Sequence, residues 1–415
     1  MSRTRLAAVL LLLVPIAARA DDLTPAAGAA PKGSAATKDA APKKDAAPKK
    51  DAAAPVGKVY APVTESDRLG AYERGVQYLL RTQNPDGSWG SPRKTKGLNI
   101  TADIASHHGF HVGSTALDVM ALCQAEKDRP AVTAALEKSE KWLFEALPRL
   151  KRGNTIEIYN VWSHSYGIRA LCALRGRPGV DENKKKTIDR LMREQIALLE
   201  KFESVDGGWG YYDFRAGAAK PATDSTSFVN ATALVALFDA KSVGVLPPEK
   251  VVKRAIAATL RQRKPDFSYL YGEYLKMRPM LGINRPGGSL GRSQACNVAL
   301  RLWGDAKVDD EVLRTWLQKF FDRHLWLDIG RKRPIPHESW MQVAGYFFYY
   351  GHYYATLCMD QLPAGERKPF QDKMARVLID RQEKDGSWFD FELYDYHQAY
   401  GTGYALLALG RCKTE

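Results

Sequence analysis

The residues best suited to chemistry in this chain are histidines, phenols and carboxylates that recur between apolar stretches. The densest group is His107-His108-Gly109-Phe110-His111, with Asp103 and Asp118 on either side as candidates to orient an imidazole. On a helix, His107 and His111 would share a face, but Gly109 argues for a loop, and no acidic partner stands at a familiar metal-site spacing. No metal is expected there. Seven of the eight histidines, His107, His108, His111, His164, His337, His352 and His397, fall in or near long polar connections. Tyr159, Trp162, Tyr211, Tyr212, Tyr269, Tyr271, Trp340, Tyr353, Tyr394, Tyr396 and Tyr400 keep them company, as the lining of a pocket for a sizeable ligand would. Carboxylates are the third class: Asp213 and Asp224, Glu338, then Asp390, Glu392 and Asp395. A facing pair would suit glycoside cleavage, whereas single carboxylates would cap helices.

Positioning these groups falls to a repeated turn. Gln83-Asn84-Pro85-Asp86-Gly87-Ser88-Trp89-Gly90 returns as Asp206-Gly207-Gly208-Trp209-Gly210 and as Gln382-Glu383-Lys384-Asp385-Gly386-Ser387-Trp388. Pro265-Asp266-Phe267-Ser268-Tyr269, after Gln262, is a worn fourth copy. Asp and Gly make a tight turn at the end of a helix, with Gly at positive φ, and Trp supplies a flat group to wedge between neighbouring units. Each copy follows an amphipathic helical pattern such as Leu69, Tyr72, Val76, Leu79 and Leu80. Between the copies lie stretches that are apolar on every side: Gly113 to Cys123, Ser165 to Leu174, Ser227 to Phe238, Ser293 to Trp303, Ala344 to Met359 and Tyr400 to Leu409. Six charged and six uncharged helices in strict alternation predict an all-α fold, an α6/α6 toroid with the uncharged set as the inner ring. The long links run from outer to inner helices, so they gather on one rim, at the N-termini of the inner helices.

The ends of the chain carry other signals. Arg3 and Arg5, the apolar run Leu6 to Ala17, and Ala18-Arg19-Ala20 have the layout of a secretory signal cleaved after Ala20, with the mature protein periplasmic or secreted. Residues 21–60, rich in Ala, Pro, Lys and Asp, cannot form a core and read as a disordered tether whose lysines offer weak contact with an anionic envelope surface. Residues 61–415 are assigned to the toroid. The formal charge of +14 is spread rather than gathered, and no basic helix with interleaved aromatics is present, so nucleic acid is not an expected partner. Five cysteines, three of them closing apolar helical runs, favour small core residues over a disulfide framework.

The Gln-x-x-x-Asp-Gly-Ser-Trp turns between alternating helices resemble the prenyltransferase and squalene oxidase repeats of terpenoid cyclases and protein prenyltransferase β subunits. The resemblance covers the chain after the tether. It implies a toroid with a central ligand cavity, and it offers residues to compare. Squalene-hopene cyclases carry a proton-donating Asp-x-Asp-Asp-Thr run; Ala222-Thr223-Asp224-Ser225-Thr226 keeps only the middle Asp. In prenyltransferase β subunits zinc is held by an Asp-x-Cys and a His, and Asp395-Tyr396-His397-Gln398-Ala399-Tyr400 is similar to the family's Tyr-His-x-x-Tyr. Gly351-His352-Tyr353-Tyr354 has no Asp-x-Cys, so neither zinc nor another cofactor is expected. The resemblance makes Asp224 and His397 the catalytic candidates, and the rim supplies His111, His164, Tyr212, Trp340, His352, Tyr396 and Tyr400 as ligand-binding candidates. The expected function is an exported toroid that binds an apolar or oligosaccharide-like elongated ligand in its central cavity, as a divergent cyclase. The alternatives are a non-catalytic binding or scaffold module and a polysaccharide-degrading enzyme.

Overall fold

The four copies of the repeated turn share the same pair of backbone hydrogen bonds, to which side chains add others. In the first, the Asp86 carboxylate accepts from the Ser88 amide at 2.9 Å and the Ser88 hydroxyl at 2.6 Å, while Gly87 takes a φ of +97°. Trp89 is then buried, and its indole N–H donates to the Leu79 carbonyl at 2.8 Å, closing the turn onto the helix it follows. Trp209 to Leu199 and Trp388 to Leu378 repeat that bond at 2.8 Å. The worn copy keeps the Asp266–Ser268 bonds and places Phe267 at a φ of +60° where the others have glycine. Truncating one such tryptophan to alanine would remove roughly 3–5 kcal/mol of packing.

The computed structural model describes residues 60, 62–97, 100–213, 220–221 and 225–412. The leader at 1–20, nearly all of the tether at 21–60, and Asp224 lie outside them. Among the described residues the helices are α1 (Glu65–Thr82), α2 (Ile104–Ala125), α3 (Pro130–Ala146), α4 (Asn160–Arg175), α5 (Glu182–Phe202), α6 (Ser227–Ser242), α7 (Glu249–Gln262), α8 (Leu290–Leu302), α9 (Asp310–Asp322), the single turn α10 (Leu325–Asp328), α11 (Phe347–Asp360), α12 (Ala364–Ile379) and α13 (His397–Leu409). The inner helices α2, α4, α6, α8, α11 and α13 pack each on the next, and α13 returns to α2, so the ring closes. The outer helices α1, α3, α5, α7, α9 and α12 cover it, and the fold is an α6/α6 toroid.

The turns also join the outer helices to one another. Gly87 sits so close to α3 that a Cβ would lie 2.5 Å from the Lys138 carbonyl oxygen. Gly207 meets the Arg254 carbonyl of α7 in the same way, and Gly386 the Arg74 carbonyl of α1. Gln83 bridges the Gly87 and Ala135 carbonyls, and Gln382 bridges those of Gly386 and Ala71. The last copy therefore ties α12 to α1, and the same local chemistry that ends a helix closes the ring.

The inner helices begin earlier than their apolar runs. Helix α2 starts nine residues before Gly113, so His107-His108-Gly109-Phe110-His111 is helical and not the loop that Gly109 suggested. Gly109 is accommodated because α4 crosses close to it: a Cβ there would lie 3.3 Å from Ser163 Oγ. All five cysteines are unpaired, and Cys296, Cys358 and Cys412 are buried.

The ring axis is where the structure departs most from expectation, because side chains fill it. Tyr166 on α4 reaches Tyr354 on the opposite helix α11, with the hydroxyls 3.5 Å apart, and Tyr404 on α13 donates to Tyr166. Tyr354 and Tyr350 meet the Thr232 hydroxyl of α6 at 3.2 and 3.1 Å. These groups are all buried. The central cavity expected from the resemblance is thus replaced by a hydrogen-bonded tyrosine plug, in which every phenol finds a neighbour to offset its desolvation.

The turn geometry predicts the outcome of two glycine substitutions. Gly386→Ala, which forces a side chain to a φ of +91° and against the Arg74 backbone, should cost about 1–3 kcal/mol and lower Tm. Gly365→Ala, in the first turn of α12 with open space around it, should leave Tm unchanged or raise it. Equal Tm values for the two variants would show that the turn does not clamp α1.

Candidate functional site

Above the tyrosine plug lies a shallow mouth walled by rings from five of the six inner helices or the residue just before them, with Tyr271, from the connection before α8, on the sixth side. Phe110 of α2 lies 4.8 Å from Tyr159, which precedes α4, and Tyr159 stacks at 5.9 Å on Tyr211 from the loop before α6. Phe228 of α6 joins Tyr211 at 6.0 Å, Tyr271 at 5.1 Å and Phe347 of α11 at 4.9 Å. Tyr346 packs on Phe347, and on the other side of the layer Tyr396, preceding α13, lies 6.0 Å from Phe110. Trp162 forms the floor, stacked at 6.3 Å on the plug residue Tyr166. Phe110, Trp162, Tyr211, Tyr212, Tyr346 and Tyr400 remain partly exposed, so parts of these rings reach the surface.

The phenols are tied to one another. Tyr159 bonds Tyr212, and Tyr211 bonds Tyr271. Tyr346 meets His337 Nε2 at 2.9 Å, and His337 Nδ1 meets the Gln342 carbonyl at 2.7 Å. A carbonyl only accepts, so Nδ1 carries the proton and Nε2 accepts from the Tyr346 hydroxyl. Burial holds the His337 imidazole below its usual range, which keeps it neutral. His337 and Gln342 both adopt positive φ, at +64° and +55°, an arrangement that the surrounding contacts must enforce.

Beneath this wall Arg292 is fully buried and has carbonyls, not a carboxylate, as partners. It donates to Gly288 and Tyr269 at 3.2 Å and to Ile283, and its guanidinium carbon lies 5.5 Å from the Tyr271 ring centre and 5.8 Å from that of Phe347. Desolvation brings its pKa down to about 10, still well above neutral pH. Arg292 thereby clamps the long connection between α7 and α8 and holds Tyr271 at the mouth.

The sequence candidates fall into distinct places. Tyr212, Tyr396 and Tyr400 are in or beside the mouth; Tyr400 donates to Asp390 Oδ1 at 2.8 Å, and burial pushes the Asp390 carboxyl up to about 7. His111 packs on Trp142 and Tyr396, and burial drives its pKa down to about 4. His164 is enclosed between α4 and α5, with its ring nitrogens 2.7 Å from Gln195 Oε1 and 3.1 Å from Asn160 Nδ2. His352 is equally enclosed, paired at 2.9 Å with His324 and held by the Phe348 carbonyl at 2.6 Å. His397 is buried with Nδ1 on the Tyr394 carbonyl, and Trp340 stands exposed outside the mouth. Asp224 lies outside the described residues.

His107, His108 and His111 diverge, toward Tyr394, the Ala146 carbonyl and Trp142 respectively. Among the described residues no group of three or more His, Cys, Asp or Glu is arranged to hold a metal ion. Asp103 caps α2 through the Ser106 amide at 2.8 Å instead of orienting an imidazole. Asp213 pairs with Arg152 at 3.0 Å and Glu338 with Arg333 at 3.5 Å. Phe110, Phe228, Tyr346 and Phe347 were not singled out from sequence, because hydrophobicity alone places them in the core. Their only signal was position, at the start of an inner helix.

Fold and rim define a toroid of paired helices, and comparison with known structures gives the same class. No family profile matches the chain, and no curated protein does. Among solved structures the chain is similar to the unsaturated glucuronyl hydrolase of Bacillus sp. GL1, with 14% identity, a TM-score of 0.54, and coverage of 83% of this chain and 95% of that one. It is also similar to a variant of an α-1,6-mannanase of Salegentibacter sp. HEL1_6 in complex with α-1,6-mannotetrose, with 10% identity, a TM-score of 0.51, and coverage of 83% and 98%. A type II terpene cyclase from Scytonema aligns with 11% identity, a TM-score of 0.48, and coverage of 84% and 98%. At these identities the likeness is one of fold.

Asp118 yields a test of how the inner ring tolerates a carboxyl. It is fully buried, neither oxygen has a hydrogen-bond partner among the described residues, and burial pushes its pKa well above the usual carboxylate range. The unfolded chain ionises this group near pH 4, so its favourable contribution is complete below that pH and is lost as pH rises toward the folded pKa. Asp118→Asn should match the wild type in Tm below about pH 4 and exceed it by a growing margin toward pH 7. A Tm difference that does not change with pH would show that Asp118 is not held protonated.

Proposed function

We propose that this chain is an exported toroid that binds an elongated, polyhydroxylated ligand, an oligosaccharide chain, across its aromatic mouth. The observation that carries this reading is the pairing of a filled axis with a partly exposed wall of phenols, an indole and a phenylalanine drawn from all around the rim. An isoprenoid needs an apolar cavity deep enough to fold in, and the tyrosine plug occupies that volume. A sugar chain needs less depth: ring faces for its C–H surfaces and hydroxyls to meet its own. The mannanase of similar fold was captured with a mannotetrose, which agrees with this choice. Most of the carboxylates seen along the rim are engaged by arginines, backbone amides or tyrosine, so the proposal is for binding and not for cleavage. Export rests on the leader at Met1 to Ala20, and the mature protein is placed in the periplasm or outside the cell.

Calorimetric titration with a panel of neutral and acidic oligosaccharides and with soluble isoprenoids decides the matter. The expected result is saturable binding of at least one oligosaccharide, weakened about tenfold by Trp162→Ala and by Tyr212→Ala, which is the loss of a stacking contact worth about 1.4 kcal/mol. Tyr212 is partly exposed but bonds Tyr159, so its variant should fold with a lowered Tm, and Tyr212→Phe, which keeps the ring, should restore sugar binding. Tighter binding of isoprenoids than of every sugar, or sugar binding that neither substitution weakens, would overturn the proposal.

A further inference from the structure

Trp340 is the one exposed tryptophan of the nine in the chain, and the mouth does not use it. It is 77% exposed, and no ring lies against it and no acceptor takes its indole N–H among the described residues. Trp340 is not isolated. The loop between α9 and α11 that carries it abuts the loop between α7 and α8: the Ile283 amide donates to Gln342 Oε1 at 3.2 Å, and a Cβ on Gly282 would lie 3.2 Å from the Trp340 carbonyl oxygen. The second loop raises Met277, 90% exposed, and Met280, 67% exposed, while Ile335, 49% exposed, lies on the first. Two adjoining loop tips thus hold four large apolar side chains clear of the protein.

The two loops carry more cations than anions, although Arg331 and Lys332 are paired with Asp328 and Glu383. Residues 273–285 and 330–342 together contain six lysines and arginines against two glutamates. Both glutamates are engaged, Glu273 by Arg261 and Glu338 by Arg333. Neither Lys276 nor Arg285 forms an ion pair with a described residue. Apolar tips flanked by Lys276 and Arg285 fit one kind of surface best, a bilayer with anionic headgroups. Trp sits at the headgroup level, Met and Ile reach the acyl boundary, and Lys and Arg stay with the phosphates. An acidic protein would satisfy the cations equally well, but it would need pockets for side chains that stand apart from one another, whereas a fluid interface closes around each of them.

We propose that this pair of loops docks the toroid on an anionic lipid surface, with Trp340, Met277 and Met280 inserted at the interface. The proposal is independent of what the mouth binds. Because the loops lie on the rim that carries the mouth, docking would hold the mouth near the membrane plane.

The test uses the full chain and vesicles of phosphatidylcholine with and without phosphatidylglycerol. The leader and the basic tether contain no tryptophan, so quenching of tryptophan fluorescence by lipids brominated on the acyl chain reports insertion by the toroid alone. Binding to phosphatidylglycerol vesicles is expected to weaken with salt. Quenching should occur in the wild type and disappear in Trp340→Phe. The Met277→Ser, Met280→Ser, Trp340→Ser triple variant should bind at least tenfold more weakly while keeping its Tm. Absence of vesicle binding, binding whose quenching survives Trp340→Phe, or an unchanged affinity in the triple variant would overturn the proposal. So would capture of an acidic protein or a second copy of the chain by these loops without vesicle binding.

Discussion

The structure depends on one recurrent contact, the tryptophan indole N–H given back to a carbonyl in the preceding helix across a glycine at positive φ. Trp89, Trp209 and Trp388 all make it at 2.8 Å. The bond fixes the direction in which the chain leaves an outer helix, and the glycine lets the turn touch the next outer helix backbone to backbone. A toroid built this way closes through its own turns: the third full copy meets α1 as the first meets α3. Gly75 on α1 completes the arrangement, because a Cβ there would lie 2.6 Å from the Trp388 ring.

A closed ring of six apolar helices leaves an axis to be filled or left open. Here tyrosines fill it, and they do so as a network in place of loose packing, since opposite helices α4 and α11 meet through Tyr166 and Tyr354. Filling the axis moves the accessible surface upward to the rim. The long connections, together with the first turns of the inner helices, then determine what the protein can meet at that end. Arg292 and His337 show how firmly these connections are held, the first by three carbonyls and the second by a carbonyl and a phenol. Rigid rings over a solid floor make a preorganised surface, and such a surface binds without the cost of ordering its side chains.

Legibility from sequence followed the range of the interaction. The turns were readable because Asp86, Gly87, Ser88 and Trp89 act within a few residues of one another, and even the copy with Phe267 kept its Asp–Ser bonds. Alternation of charged and uncharged helices was readable because burial on all sides removes charge from a whole helix. Helix starts were less so: the first turns of α2 and α4 carry histidine and aromatic residues that break the apolar pattern while remaining helical. Gathering of the phenols on one rim followed from topology, but the layer also contains Phe110, Phe228 and Phe347, which look like any other core residue until their neighbours are known.

By itself the sequence determined the class of fold, the corner at the end of each outer helix and the rim on which polar and aromatic groups collect, because each of these rests on local geometry or on the overall balance of apolar and charged surface. The tertiary structure alone decided which of those groups face outward. His164 and His352 were candidate ligands and yet end between helices, Trp340 stands exposed outside the mouth, and the axis that repeats of this kind suggested as a cavity is closed by Tyr166, Tyr350, Tyr354 and Tyr404. The physical reason is that the direction of a side chain on an inner helix is set by the rotation of that helix in the ring. That rotation is fixed by contacts between residues up to hundreds of positions apart, such as Tyr166 with Tyr404, and no local pattern encodes it.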